Sequence, residues 1–173
     1  LENLTELSCA FNMLTELDLL NNKKLKGLYC GNNMLTSLDV THNVNLENLN
    51  LWENNIAMID VKGLKKLKYL DFHGNQISNI DLSENINLTI LNFQGNPISE
   101  INLSNNTALV GIYFGDNPMT TLDISNNQKI KTLENEGEFP FEKICVWTLP
   151  FPPSESITLK NFPASFDGFE ICE

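Results

Sequence analysis

Arginine does not occur anywhere in these 173 residues, and the 11 basic side chains are lysines facing 22 acidic ones, for a net charge of −11. Nucleic-acid backbones and anionic lipid surfaces are held by clustered Lys and Arg, so neither is expected as a partner. No apolar run approaches the roughly 18 residues of a membrane span, which argues against membrane insertion. Histidine is limited to His42 and His73, and there is no glycine-rich phosphate loop, no H-E-x-x-H and no C-x-x-C. A nucleophile, acid or base needs partners in a pocket, and these absences lead us to expect no enzymatic activity, no cofactor and no metal. Four cysteines are too few for a disulfide scaffold at this length. The first residue is Leu1, with no basic and apolar leader before the first pattern, so any export signal is expected to have been removed.

What the chain does contain is a period. From Leu4, "LTELSCAFNMLTELDLLNNKK" recurs every 21 residues through "LVGIYFGDNPMTTLDISNNQK", giving six coils. The first column is Leu4, Leu25, Leu46, Leu67, Leu88 and Leu109. The fourth is Leu7, Leu28, Leu49, Leu70, Leu91 and Ile112, and the sixth is Cys9, Cys30, Leu51, Phe72, Phe93 and Phe114. The ninth position is always asparagine: Asn12, Asn33, Asn54, Asn75, Asn96 and Asn117. One coil cannot bury these side chains alone. Stacking coils about 4.8 Å apart gives every column an apolar neighbour above and below, in one parallel sheet. The asparagine column is assigned a structural role, because an amide carries donors and an acceptor to satisfy backbone groups where the chain leaves the strand.

This L-x-x-L-x-L-x-x-N pattern resembles the leucine-rich-repeat family over residues 4 to about 133. The resemblance implies an α/β-class repeat solenoid, mostly β, right-handed, with a parallel sheet on its inner face. The 21-residue form of the first two coils is similar to repeats of secreted and surface proteins of bacteria, notably the Bacteroidetes. That likeness implies an extracellular or cell-envelope location.

The second half of each coil repeats the spacing, as in Leu14, Leu17 and Leu19. Its final alternation has period two within about eleven residues, so an extended segment and a thin, largely non-helical convex side are expected. An outward column of Asp18, Asp39, Asp60, Asp81, Asn102 and Asp123 suits turn capping. Stacked carboxylates can also bind calcium, but the glycines of calcium-binding solenoid repeats are missing here.

Residues 1–133 are therefore read as the solenoid, with a partial seventh coil beginning at Ile130, and residues 134–173 as a distinct tail. The tail holds five of the seven prolines, and Phe139, Phe141, Trp147, Phe151, Phe162, Phe166 and Phe169. Its apolar character fits a C-terminal cap over the open end, or the start of a further small β module. "KICVWTL" and "SITLKNF" read as short strands. Leu1 sits mid-coil with no cap, so residues upstream are expected. Cys9 and Cys30 occupy a core column and are read as free thiols, whereas Cys145 and Cys172, in the same tail of an exported protein, are candidates for a disulfide.

Between the inward leucines, the third, fifth, seventh and eighth positions of the strand half should face solvent. They assemble Tyr29, Asn50, Trp52, Tyr69, Asp71, His73, Asn92, Gln94 and Tyr113 on one surface. Aromatic rings beside amides and a carboxylate suit a protein loop or a sugar chain, although Tyr and Trp are also ordinary strand formers. No Trp or Tyr falls in the second halves of the coils, which favours recognition on the strand face over a rigid spacer that binds nothing. A bacterial ubiquitin-ligase effector is the enzymatic alternative. Its repeats carry an L-P dipeptide that these repeats lack, and a 40-residue tail is short for its catalytic domain.

Overall fold

A computed structural model describes residues 2–138, 140–149, 151–152 and 157–172; of the tail aromatics, Phe139 lies outside the described residues. Among the described residues eleven short strands follow one another: β1 (Glu6–Ser8), β2 (Gly27–Tyr29), β3 (Asn48–Asn50), β4 (Tyr69–Asp71), β5 (Ile90–Asn92), β6 (Gly111–Tyr113), β7 (Thr121–Asp123), β8 (Thr132–Glu134), β9 (Lys143–Val146), β10 (Thr158–Lys160) and β11 (Phe169–Ile171). Each is only three or four residues long. Length comes from stacking: eight strands form one parallel sheet in the order β1-β2-β3-β4-β5-β6-β8-β10. No helix occurs among the described residues. The molecule is a parallel β-solenoid of about eight turns.

The register follows from the columns. Leu7 pairs with Leu28, Leu28 with Leu49, Leu49 with Leu70, Leu70 with Leu91, Leu91 with Ile112 and Ile112 with Leu133. A one-residue slip would turn these leucines to water, so the apolar column specifies the pairing. Leu25, Leu28, Leu46, Leu49, Leu67 and Leu70 are all fully buried. In the sixth column Phe72, Phe93 and Phe114 stack with ring centres 6.3 and 6.4 Å apart, and Phe141 and Phe162 close on Phe114 edge-to-face at 5.2 and 6.2 Å.

The asparagines of the ninth position form a hydrogen-bonded ladder. The Asn75 amide donates to the carbonyls of Leu51 and Phe72 at 3.1 and 2.9 Å, and its oxygen accepts from Ile56 N at 3.0 Å. Asn54, Asn96 and Asn117 repeat these bonds in their own coils. Asn12, in the first coil, is exposed, and its side-chain amide donates to Cys9 and Ala10 of its own turn.

A second ladder, which the sequence reading passed over, runs through the opposite corner. Asn43, Asn85, Asn106 and Asn127 are fully buried there. Each amide donates to two carbonyls of the preceding coil, as Asn106 does to Leu82 and Asn85 at 3.0 Å. Leu64 breaks this series in the third coil. Beside it, Asp18, Asp39, Asp60, Asp81, Asn102 and Asp123 each accept from the backbone N–H two residues on, at 2.9 to 3.0 Å.

The sequence pattern ends near Leu133, but the coiling goes on. β10 pairs in parallel with β8, placing Leu159 opposite Leu133. On the convex side, β7, β9 and β11 form a second parallel sheet in the order β11-β9-β7. The step between neighbouring coils lengthens from 21 residues to 26 at the Lys160–Glu134 pair. That drift hides the last coils from a fixed-period reading. Cys145 and Cys172 form a disulfide beside β9 and β11, while Cys9 and Cys30 are free. Burial pushes the Cys30 thiol up to about 12, so it is a protonated core side chain at neutral pH.

Candidate binding surface

The outward positions of β2 to β6 bring the aromatic residues onto one face, and glycines decide how the rings lie. A Cβ at Gly31 would collide with the Trp52 indole, so the indole lies across the bare backbone of the neighbouring coil. Tyr29 likewise leans over Gly27 of its own strand, 3.0 Å from where a Cβ would stand. Trp52 is half-buried by this packing. Its ring stacks on His73 of the next coil, with centres 5.6 Å apart and planes within 4°. Phe11, from the first coil, meets it edge-on at 5.1 Å.

Under the stack lies a polar network. His73 Nδ1 is 2.7 Å from Asp71 Oδ1, the Tyr69 hydroxyl donates to Asp71 Oδ2 at 3.2 Å, and His73 N donates to Asp71 Oδ1 at 3.2 Å. Asn92 Nδ2 approaches the same histidine nitrogen at 3.2 Å, and Asn92 Oδ1 accepts from Gln94 N at 3.3 Å. The hydrogen bond to Asp71 raises the His73 pKa above 6.5 against the opposing effect of partial burial. Burial, followed by the charge of Asp71, pushes the Tyr69 phenol up to about 12.

Asp71 departs from the alternation expected of its strand. Asp71 does not face solvent but is buried, with 5% of its surface exposed, because Tyr69 and His73 close over it. It positions the histidine rather than presenting a carboxylate. Trp52, Tyr69, His73, Asn92 and Gln94 remain half-exposed, as do Asn50, Tyr29 and Tyr113. Tyr29 and Tyr113 flank the centre, pairing in register with Asn50 and Asn92.

The sequence reading also missed Phe11, which is 74% exposed with φ of 57°. It occupies the eighth position of its coil. Asn32, Glu53, Gly74, Gly95, Asp116 and Gly137 hold the equivalent sites, and all have positive φ, from 50° to 93°. The left-handed backbone therefore recurs once per coil, where the chain turns out of the strand. Glycine and asparagine adopt it at little cost, whereas a phenylalanine pays roughly 1–2 kcal/mol. Phe11 thus combines a left-handed backbone with an exposed ring held against Trp52.

Among the described residues no group of three or more His, Cys, Asp or Glu side chains is placed to hold a metal ion. Residues 2–42 and 44–85 match the family model for Leucine Rich repeats (2 copies). No curated protein sequence matches the chain. Among solved structures, the functional domain of InlJ from Listeria monocytogenes, described as including a cysteine ladder, shares 28% identity at a TM-score of 0.79. That alignment covers 99% of this chain and 36% of that one. A leucine-rich-repeat protein of Leptospira interrogans gives 28% and 0.73 over 86% of this chain and 40% of its own. YopM, a leucine-rich effector protein from Yersinia pestis, gives 25% and 0.78 over 92% and 43%. The chain thus spans less than half the length of each of these proteins. Its fold matches a leucine-rich-repeat solenoid, and its first coils are similar to leucine-rich repeats.

Proposed function

We propose that this chain is a non-enzymatic recognition module of a secreted or surface-exposed bacterial protein, and that it binds a protein partner on the strand face around Trp52 and His73. The observation that carries the reading is the Phe11–Trp52–His73 array, three rings in contact on the open side of a rigid sheet. Aromatic side chains fixed in advance lose little entropy on binding, which is the character of hot-spot anchors. The likeness to a protein named as a leucine-rich effector supports an interaction role outside the producing cell. The Cys145–Cys172 disulfide supports an oxidising compartment. No helix among the described residues is long and apolar enough to cross a membrane. The 21-residue form further suggests a repeat of the Bacteroidetes type.

The test is a pull-down from host or envelope extracts and a glycan array, followed by calorimetric titration of whatever binds. Trp52→Ala is expected to weaken a protein partner by at least about 2 kcal/mol, some thirtyfold, with the fold intact. Asp81→Ala is the control on the convex side, where Asp81 caps Ser83 N and pairs with Lys62 at 3.0 Å. Equal affinity of Trp52→Ala and parent refutes the site. Loss in Asp81→Ala alone moves it to the opposite side, and binding confined to the glycan array replaces the protein partner with a sugar.

A further inference from the structure

The charges of the strand face are not spread evenly. From β3 to β8, acids of the face are partnered within this chain, Glu47 with Lys68 at 2.7 Å, Glu134 with Lys160 at 2.9 Å, and Asp71 with His73, whereas Glu6 of β1 is exposed and in no ion pair among the described residues. Where the strands end, Glu53, Asp116 and Glu136 are exposed, and none pairs with a cation among the described residues. Lys160 feels Glu136 but bonds Glu134.

These carboxylates are also held in place. Glu53 and Asp116 sit in the left-handed column, with φ of 50° and 52°. The Glu53 carboxylate lies over Gly74 of the next coil, 2.8 Å from where a Cβ would stand, and Asp116 lies over Gly137 in the same way while accepting from Glu138 N at 3.2 Å. Gly74 and Gly95, which fill the same column between Glu53 and Asp116, make a low floor between two acidic rims. Although they belong to different coils, Glu53 and Glu136 both act on His73 and favour its charged form, so their fields overlap above the aromatic stack.

Resting on the reading of this face as a binding surface, we infer that its partner is a basic, extended protein segment whose lysine or arginine side chains lie along the strand ends over Glu53, Asp116 and Glu136. The net charge of −11 steers such a segment inward. Lysine and arginine stems cover apolar surface while their heads reach water or a carboxylate, which matches aromatic rims beside acidic ones. Lys26 and Lys131 stand just ahead of β2 and β8, at the opposite edge of the face, and repel a basic segment placed there.

The experiment titrates the full chain with an extended peptide of alternating threonine and lysine, with a threonine–glutamate peptide as the counterpart. From the first coil to the seventh is roughly 30 Å, so about nine residues of peptide suffice. The lysine peptide is expected to bind and the glutamate peptide not to. The triple variant Glu53→Gln, Asp116→Asn, Glu136→Gln should lose roughly tenfold in affinity. The triple variant Asp18→Asn, Asp60→Asn, Asp123→Asn, with the same change in net charge on the convex side, should stay within about twofold of parent. Equal weakening of both triples means diffuse attraction and overturns the inference, as does failure of the lysine peptide to bind at about millimolar concentration. A captured partner that is lost in Trp52→Ala yet unmoved in the strand-end triple keeps the face and removes the basic segment. The reverse pattern keeps the basic segment and removes the aromatic anchor.

Discussion

At the scale of single residues, the site turns on what glycine leaves out. Gly31→Ala adds one methyl group in the space of the Trp52 indole. It should weaken binding by about as much as Trp52→Ala, roughly 2 kcal/mol, with little change in melting temperature, because the core is untouched. Calorimetry beside a thermal melt checks both halves. His73 gives a pH signature. Its pKa is raised in the folded chain, so its charged form contributes stability that is full below about 6.5 and disappears as pH climbs through the folded value. The stability gap between parent and His73→Gln should be wider near pH 5 than near pH 8, by no more than about 1 kcal/mol because the ring is half in solvent. Urea melts at the two pH values measure it. The sequence could nominate Trp52 and His73 because alternation in a strand assigns faces. It could not show that Asp71 turns under its neighbours, or that Phe11 belongs to the group. The eighth position holds Phe, Asn, Glu, Gly, Gly and Asp, which share no chemistry except the backbone angle they are made to adopt.

At the scale of the coil, stability rests on columns rather than on any one turn. Leu70 is fully buried and pairs in register with Leu49 and Leu91. Leu70→Asp places an unpaired carboxylate among them and should cost more than about 4 kcal/mol, with loss of the cooperative melt by circular dichroism. Asn96→Ala leaves the buried N–H of Ile77 without its acceptor and removes one of the two asparagine donors to each of the carbonyls of Phe72 and Phe93, which Asn96 joins at 3.0 to 3.1 Å. It should cost about 3 kcal/mol or more in a denaturant titration, although it removes no apolar surface. The columns were legible because a 21-residue period repeats the same environment six times. The second ladder was equally periodic at Asn22, Asn43, Asn85, Asn106 and Asn127. It escaped notice because asparagine in a polar corner looks like turn chemistry, and only its complete burial separates the two. The last coils were illegible for a different reason: their strands are ordinary, but the spacing between them is no longer constant.

Across the whole molecule, the two ends are tied differently. In the first coils, parallel pairing runs along the strand face alone, whereas from Thr121 onward β7, β9 and β11 add a second sheet on the convex side. The Cys145–Cys172 bond crosses between the last two of those strands with a sequence separation of 27. Replacing both with serine should cost about 3 kcal/mol in the chain-entropy model, and in a repeat array that loss should fall first on β10 and β11, seen as faster amide exchange there. The second sheet also makes the solenoid a graded spring under load. Stretched along its axis, a coil held by one ladder parts before a coil held by two, so rupture should begin among the first coils and travel towards Thr121, where the force needed rises. A protein that grips the Trp52 region and pulls would thus unwind the coils around its own binding site while the doubly laddered end still held.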